Sequence, residues 1–176
     1  MTAIATLPAS GPGPREQFEA LYRTSAADIY AYVASLLRDR AAAEDVTSLA
    51  FERAFRRRAL FDVHRGSPRA WLFAIARNAA LDELRRRQRT GALRHEVADE
   101  SAEPEELDSE LAERRLLVRD GLATLEPRER EVILLKFVGR LSNAELARVL
   151  GCSESNAGTR LHRAIERLRE ACGVTR

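Results

Sequence analysis

LSNAELARVLGCSESNAGTRLHRAIERLR, residues 141–169, is the stretch on which the fold turns. Ser142 followed three residues later by Glu145 makes a capping box, the reciprocal pairing that starts a helix. Gly151 stops that helix and Ser153 caps the next. Ala147, Gly151 and Ala157 then have the spacing of a helix-turn-helix. The small residue lets two helices approach, the glycine permits the turn, and the apolar residue holds the second helix on the first. Ala157, Leu161, Ile165 and Leu168 form the inward stripe of the second helix. Asn156, Thr159, Arg160, Arg163 and Arg167 face outward or flank it, and such side chains reach base edges and phosphates in a major groove. The competing reading is a helical hairpin with no nucleic-acid role.

Upstream, residues 113–123 carry Leu116, Leu117 and Leu122 at helical spacing. Pro127 opens another helix, with Glu129 and Glu131 ahead of the apolar run 132–135 and Gly139 at its end. Residues 114–172 therefore read as a four-helix module.

Charge divides the rest. Residues 1–89 hold 15 basic and 10 acidic residues, a net +5. Residues 90–113 hold one arginine and nine acidic residues, a net −8, with few large apolar side chains. Residues 114–176 hold 13 basic and 8 acidic residues, again +5. Two basic modules joined by an acidic linker, residues 90–113, are expected. A structureless loop of that length inside one compact domain is uncommon. The proline- and glycine-containing residues 1–14 read as a disordered leader without the basic start or apolar run of a signal peptide.

The first module, residues 15–89, shows only helical periodicity. Residues 16–37 place Phe18, Leu21, Tyr22, Ile29, Val33, Leu36 and Leu37 three or four apart. Residues 41–58 repeat the pattern with Val46, Leu49, Ala50, Phe51, Ala54 and Phe55, and Glu44 and Asp45 lie near the start, where a helix dipole favours carboxylates. After a loop with Gly66 and Pro68 comes WLFAIARNAALDELRRRQR, residues 71–89, apolar at its start and cationic at its end. Leu72, Ile75, Ala76, Ala79 and Ala80 can face a core, while Trp71, Asn78, Asp82, Arg85 and Arg89 share another face. Arginine and asparagine suit phosphates and base edges. Trp71 reads equally as a boundary aromatic or as a platform for an unpaired base.

The fold class is therefore all-α, in two small helical domains. Cys152 and Cys172 form no CxxC and have no histidine at metal spacing, and His64, His95 and His162 are scattered. No nucleophile or carboxylate arrangement points to an enzyme, and no cofactor or metal site is expected. No apolar run approaches the roughly 18 residues that span a bilayer, so a cytoplasmic protein without membrane insertion is expected.

Three stretches together resemble one family: AEDVTSLAFERAF (43–55), RAWLFAIARNAALDELRRR (69–87) and residues 141–169. In order and spacing they are similar to extracytoplasmic-function (ECF) sigma factors of the sigma-70 superfamily, which join region 2 to region 4 without region 3. The resemblance covers residues 16–89 and 114–171. It implies a promoter-specificity subunit of bacterial RNA polymerase, and neither an enzyme nor a cofactor binder. It implies that Glu44, Asp45, Ser48, Phe51, Glu52 and Phe55 dock on the β′ clamp helices of the core enzyme. Residues 62–68 and the helix after them would recognise and melt the −10 element, through His64, Arg65, Trp71, Arg77, Asn78, Asp82, Arg85, Arg86 and Arg89. The second module would read the −35 element through Ser155, Asn156, Thr159, Arg160, Arg163 and Arg167 and contact the β flap. The linker would run toward the RNA exit channel, and an anti-sigma factor is an expected partner. Two positions depart from the family pattern: Ser48 and Leu49 stand where glutamine and an acidic residue are usual, and Gly158 where a lysine or arginine is frequent. The alternative is a stand-alone helix-turn-helix regulator that binds duplex DNA without polymerase.

Overall fold

The computed structural model describes residues 13–62, 66–90 and 109–174. The described residues form α1 (Pro14–Leu37), α2 (Arg40–Arg57), a 3-10 turn (Arg58–Leu60), α3 (Pro68–Thr90), α4 (Ser109–Thr124), α5 (Pro127–Phe137), α6 (Asn143–Leu150) and α7 (Glu154–Ala171), and no strand occurs among them. The expected leader, His64, Arg65 and most of the acidic linker lie outside the described residues.

Local chemistry sets the helix ends. α1 begins with Pro14 in its first turn and ends at Arg38, which turns left-handed with φ 51°. Asp39 then caps α2, its carboxylate accepting the Ala42 N–H at 3.0 Å. Glu44 and Asp45 thus stand beyond the first turn of α2, so the dipole acts on Asp39 rather than on them. α6 carries the expected capping box: the Glu145 N–H donates to Ser142 Oγ at 3.2 Å, and the Ser142 N–H to Glu145 Oε2 at 2.9 Å. Gly151, at φ 67°, closes α6 in a Schellman ending, with Cys152 N–H on the Ala147 carbonyl and Gly151 N–H on that of Arg148. Gly139 is needed for another reason: a Cβ there would lie 2.4 Å from the Leu135 carbonyl oxygen.

α1, α2 and α3 pack around Ile29, Tyr32, Val33, Val46, Phe51, Leu72 and Phe73, with Ala43, Ala50, Ala54, Ala76, Ala79 and Ala80 letting the helices approach closely. Each large fully buried side chain contributes roughly 1.5–3 kcal/mol. α5, α6 and α7 enclose Val132, Leu135, Leu141, Leu146, Ala157 and Leu161. The two modules do not hang apart on a tether. Their apolar groups merge into one contiguous core. α4 starts at Ser109, inside the segment read as linker, and a smaller cluster of Leu125, Ile133 and Ala164 with Leu122 and Leu168 holds it. Leu116 and Leu117, read as core positions of that helix, are nearly half exposed, as are Leu111 and Val118.

Candidate nucleic-acid interface

α7 presents Ser155, Asn156, Thr159, Arg160, Arg163 and Arg167 to solvent, as its helical phase requires once Ala157, Leu161 and Ala164 are buried. Ser153 accepts the Asn156 N–H at 3.2 Å and fixes the start of the helix. Arg167 pairs with Glu129 at 2.6 Å. Among the described residues Arg160 and Arg163 have no ion-pair partner; they line a cleft of about 470 Å³ together with Arg77, Arg128, Glu129 and Glu131. Gly158 has open space around the position of a Cβ.

The arginine run of α3 is not one surface. Arg85, Arg86 and Arg89 are exposed, Arg85 beside Asp82 at 3.1 Å and Arg86 forked onto Glu83 with two bonds of 2.7 Å. Arg87 turns inward to Asp39 and Glu83. Hydrogen bonds from Arg86, then Arg87, hold the Glu83 carboxyl down at about 2 against the opposing effect of burial. Asn78 and Asp82 are exposed on the expected face. Trp71 is a boundary residue: its ring lies 5.4 Å from that of Phe61, and it lines a cavity of about 220 Å³ with Leu60, Asp62, Ala70, Ala74, Arg148 and Val149.

Arg77 does not join the open stripe. Its Nε donates to Glu131 Oε1 at 2.8 Å and its Nη2 to Oε2 at 3.3 Å, across the seam between the modules. Tyr32 adds its hydroxyl to the same carboxylate at 3.3 Å. Burial, reinforced by Glu131, raises the Tyr32 hydroxyl well above the usual tyrosine range. Phe51 also leaves its expected face: only 7% exposed, it packs edge-on against Tyr22 with ring centroids 4.7 Å apart. Glu44, Asp45, Ser48, Glu52 and Phe55 remain exposed along α2, joined by Leu49.

Sequence reasoning missed the residues that hold the seam. Arg69 donates to the Val138 and Gly139 carbonyls at 2.9 and 2.6 Å, at the C-terminal end of α5, and to Asp28 on α1 at 2.5 Å. Ser67 donates to Glu145 while accepting the Ala70 N–H. Their linear neighbourhoods carry no signal of this, although a glutamate heading an apolar run, as Glu131 does, invites a search for its partner.

The sigma-70 region 2 model matches residues 21–90, and the sigma-70 region 4 model residues 115–168. The ECF RNA polymerase sigma factor SigL of Mycobacterium tuberculosis is 36% identical over 163 residues, covering 89% of this chain and 91% of SigL. The chain belongs to the sigma-70 family, in its ECF group. Among solved structures, the sigma factor RpoE of Bartonella quintana, in complex with the anti-sigma factor NepR, superposes with TM-score 0.75 at 26% identity, covering 91% of this chain and 99% of that one. CnrH, in complex with the cytosolic domain of CnrY, gives 0.64 at 25% identity, covering 94% and 92%. The first module is thus region 2 of a sigma factor and the second is region 4. The seam held by Arg69, Arg77 and Ser67 is a contact between those two regions.

Proposed function

We propose that this ECF sigma factor binds core RNA polymerase through the outward face of α2, opens the −10 element with α3 and the loop before it, and reads the −35 element with α7. The observation that carries the reading is α7. A helix-turn-helix with both caps in place offers Arg160 and Arg163 to solvent without a carboxylate to neutralise them. The exposed strip of Glu44, Asp45, Glu52, Leu49 and Phe55 suits a partner that is cationic and partly apolar. Arg85, Arg86 and Arg89 lie where a promoter backbone would pass once region 2 is docked.

No described helix is long and apolar enough to cross a membrane, which agrees with action in the cytoplasm. RpoE and CnrH were both solved with regulatory partners, which supports an anti-sigma factor as a partner of this chain as well.

The test is run-off transcription with purified bacterial core polymerase on templates randomised over the −35 and −10 elements. Initiation only when this protein is added, from a recoverable subset of sequences, is expected. No initiation, combined with tight binding of the protein alone to duplex DNA, would favour a stand-alone regulator.

A further inference from the structure

The seam between regions 2 and 4 uses groups that promoter engagement would need. Arg77 is turned from the α3 face onto Glu131, which is itself only 6% exposed. A guanidinium recognises carboxylate and phosphate by the same two-pronged geometry, so Glu131 stands where a phosphate could. At the start of α3, Glu145 accepts from Ser67, the residue whose hydroxyl caps that helix. Glu145 is also part of the α6 capping box, so one carboxylate serves the N-terminal ends of two helices, where both dipoles favour it. Burial tends to raise its pKa, yet the hydrogen bonds from Ser67 and Ser142 lower it on balance.

Steric cover accompanies the electrostatic one. Arg148 and Val149 of α6 form one wall of the cavity that Phe61, Asp62 and Trp71 line. Arg148 Nη1 comes within 3.0 Å of the point a Cβ on Gly66 would occupy. A nucleotide approaching Trp71 from this side would have to displace α6.

We propose that Glu131 and Glu145 are a built-in latch: while their carboxylates hold Arg77 and Ser67, region 4 covers the −10 face of region 2 and the free protein is closed to promoter. This rests on the reading that α3 and the loop before it receive the −10 strand. A buried ion pair adds more to specificity than to net stability, and its partners can be exchanged for phosphate or water. It therefore suits a seam that must open when polymerase or DNA binds.

Glu131→Gln and Glu145→Gln remove charge while keeping size, and glutamine still completes a capping box. Small-angle scattering on the full chain reads the closure without reference to DNA. Fluorescence anisotropy with the single-stranded non-template −10 oligonucleotide recovered from the promoter library reads the masking. The double variant is expected to stay helical, to expand, and to bind the oligonucleotide roughly 3- to 10-fold more tightly, because less of the population sits in the closed form. A folded double variant with unchanged dimensions, or one that expands without gaining affinity, overturns the latch.

If the double variant loses its helical signal, a second arm decides. Ser67→Cys and Glu145→Cys, with Cys152→Ser and Cys172→Ser, would be joined by a reducible bis-thiol cross-linker. The joined protein should not initiate with core polymerase, and reductant should restore initiation. Undiminished initiation by the joined protein would overturn the proposal. If the wild-type protein initiates while the latch variants behave like it, only the latch fails. If the wild-type protein neither initiates nor binds the strand, the promoter reading itself fails.

Discussion

Arg87 reaches Asp39 at 2.9 Å and thereby ties the last turn of α3 to the N-cap of α2. The same guanidinium meets Glu83 at 2.8 Å, and both carboxylates are largely shielded from water. Arg87→Ala should therefore lower the unfolding free energy by about 1–3 kcal/mol, since it strands two carboxylates in partly buried positions. Arg85, two residues away and 67% exposed, has only Asp82 beside it. Arg85→Ala should change stability by no more than about 0.5 kcal/mol. Urea unfolding of both variants checks the contrast, and equal losses would mean that the run acts as one surface.

Acid should find the same spot. Glu83 has a folded value of about 2 against an ordinary 4.5, set first by Arg86 and then by Arg87. A carboxyl depressed on folding stabilises above its ordinary value, and that contribution disappears as pH falls through the folded value. Asp39, lowered first by the Ala42 N–H and then by Arg87, acts in the same direction. Stability should thus decline between about pH 5 and pH 2, and the decline should be shallower in Glu83→Gln. Chemical denaturation at a series of pH values measures it; parallel curves for the two proteins would remove Glu83 from the account.

What could be read in advance follows the range of each interaction. Ser142, Gly151 and Ser153 act on partners within five residues, so the helix-turn-helix was legible from its letters. Arg77 and Glu131 are 54 residues apart, and nothing near either one selects the other from many arginines and glutamates. Arg87 looks like Arg86 in the sequence and differs only in pointing to Asp39, 48 residues away. Phe51 and Phe55 are both apolar positions of one amphipathic helix, and only the neighbouring Tyr22 reveals which ring is covered. Local chemistry thus fixed the helices and the −35 face, whereas the contact between regions depended on tertiary partners.

That difference on α2 gives a pair of opposite outcomes. Asp45 is exposed, so Asp45→Arg should leave the fold intact while weakening core-polymerase binding by reversing charge toward a cationic partner. Phe51→Ala should instead cost about 3–5 kcal/mol of stability by opening a cavity beside Tyr22. Pull-down with core enzyme and thermal melts separate the two. Undiminished core affinity in Asp45→Arg would move the docking face elsewhere.

On α7, Arg160→Ala and Arg163→Ala should each reduce use of the −35 element while sparing core binding, since both side chains are exposed and unpaired among the described residues. A guanidinium that contacts phosphate should also lower the salt dependence of DNA binding by about one unit of slope, whereas one that reads a base should relax preference at a single position. Anisotropy titrations over a salt series, with promoter variants, tell the two roles apart. An unchanged slope and unchanged sequence preference in both variants would remove α7 from the promoter.

Gly158 is the position on that helix where the sequence departs from its family, and the structure gives no packing reason for a glycine. Nothing lies within 4 Å of the place a Cβ would take, and its backbone is ordinary right-handed helix between Ala157 and Thr159. A glycine inside a helix costs about 1 kcal/mol relative to alanine. Gly158→Ala should therefore stabilise the protein by about 0.5–1 kcal/mol. Gly158→Arg should keep most of that gain, since arginine is nearly as good a helix former, and should place a third cation near Arg160 and Arg163. Its DNA affinity should rise, with a salt slope steeper by about one, and binding to mismatched −35 sequences should rise in parallel. Stabilisation without any change in affinity would mean that residue 158 faces away from the groove. A loss of stability in Gly158→Ala would mean that α7 approaches another helix here more closely than the open space around it allows.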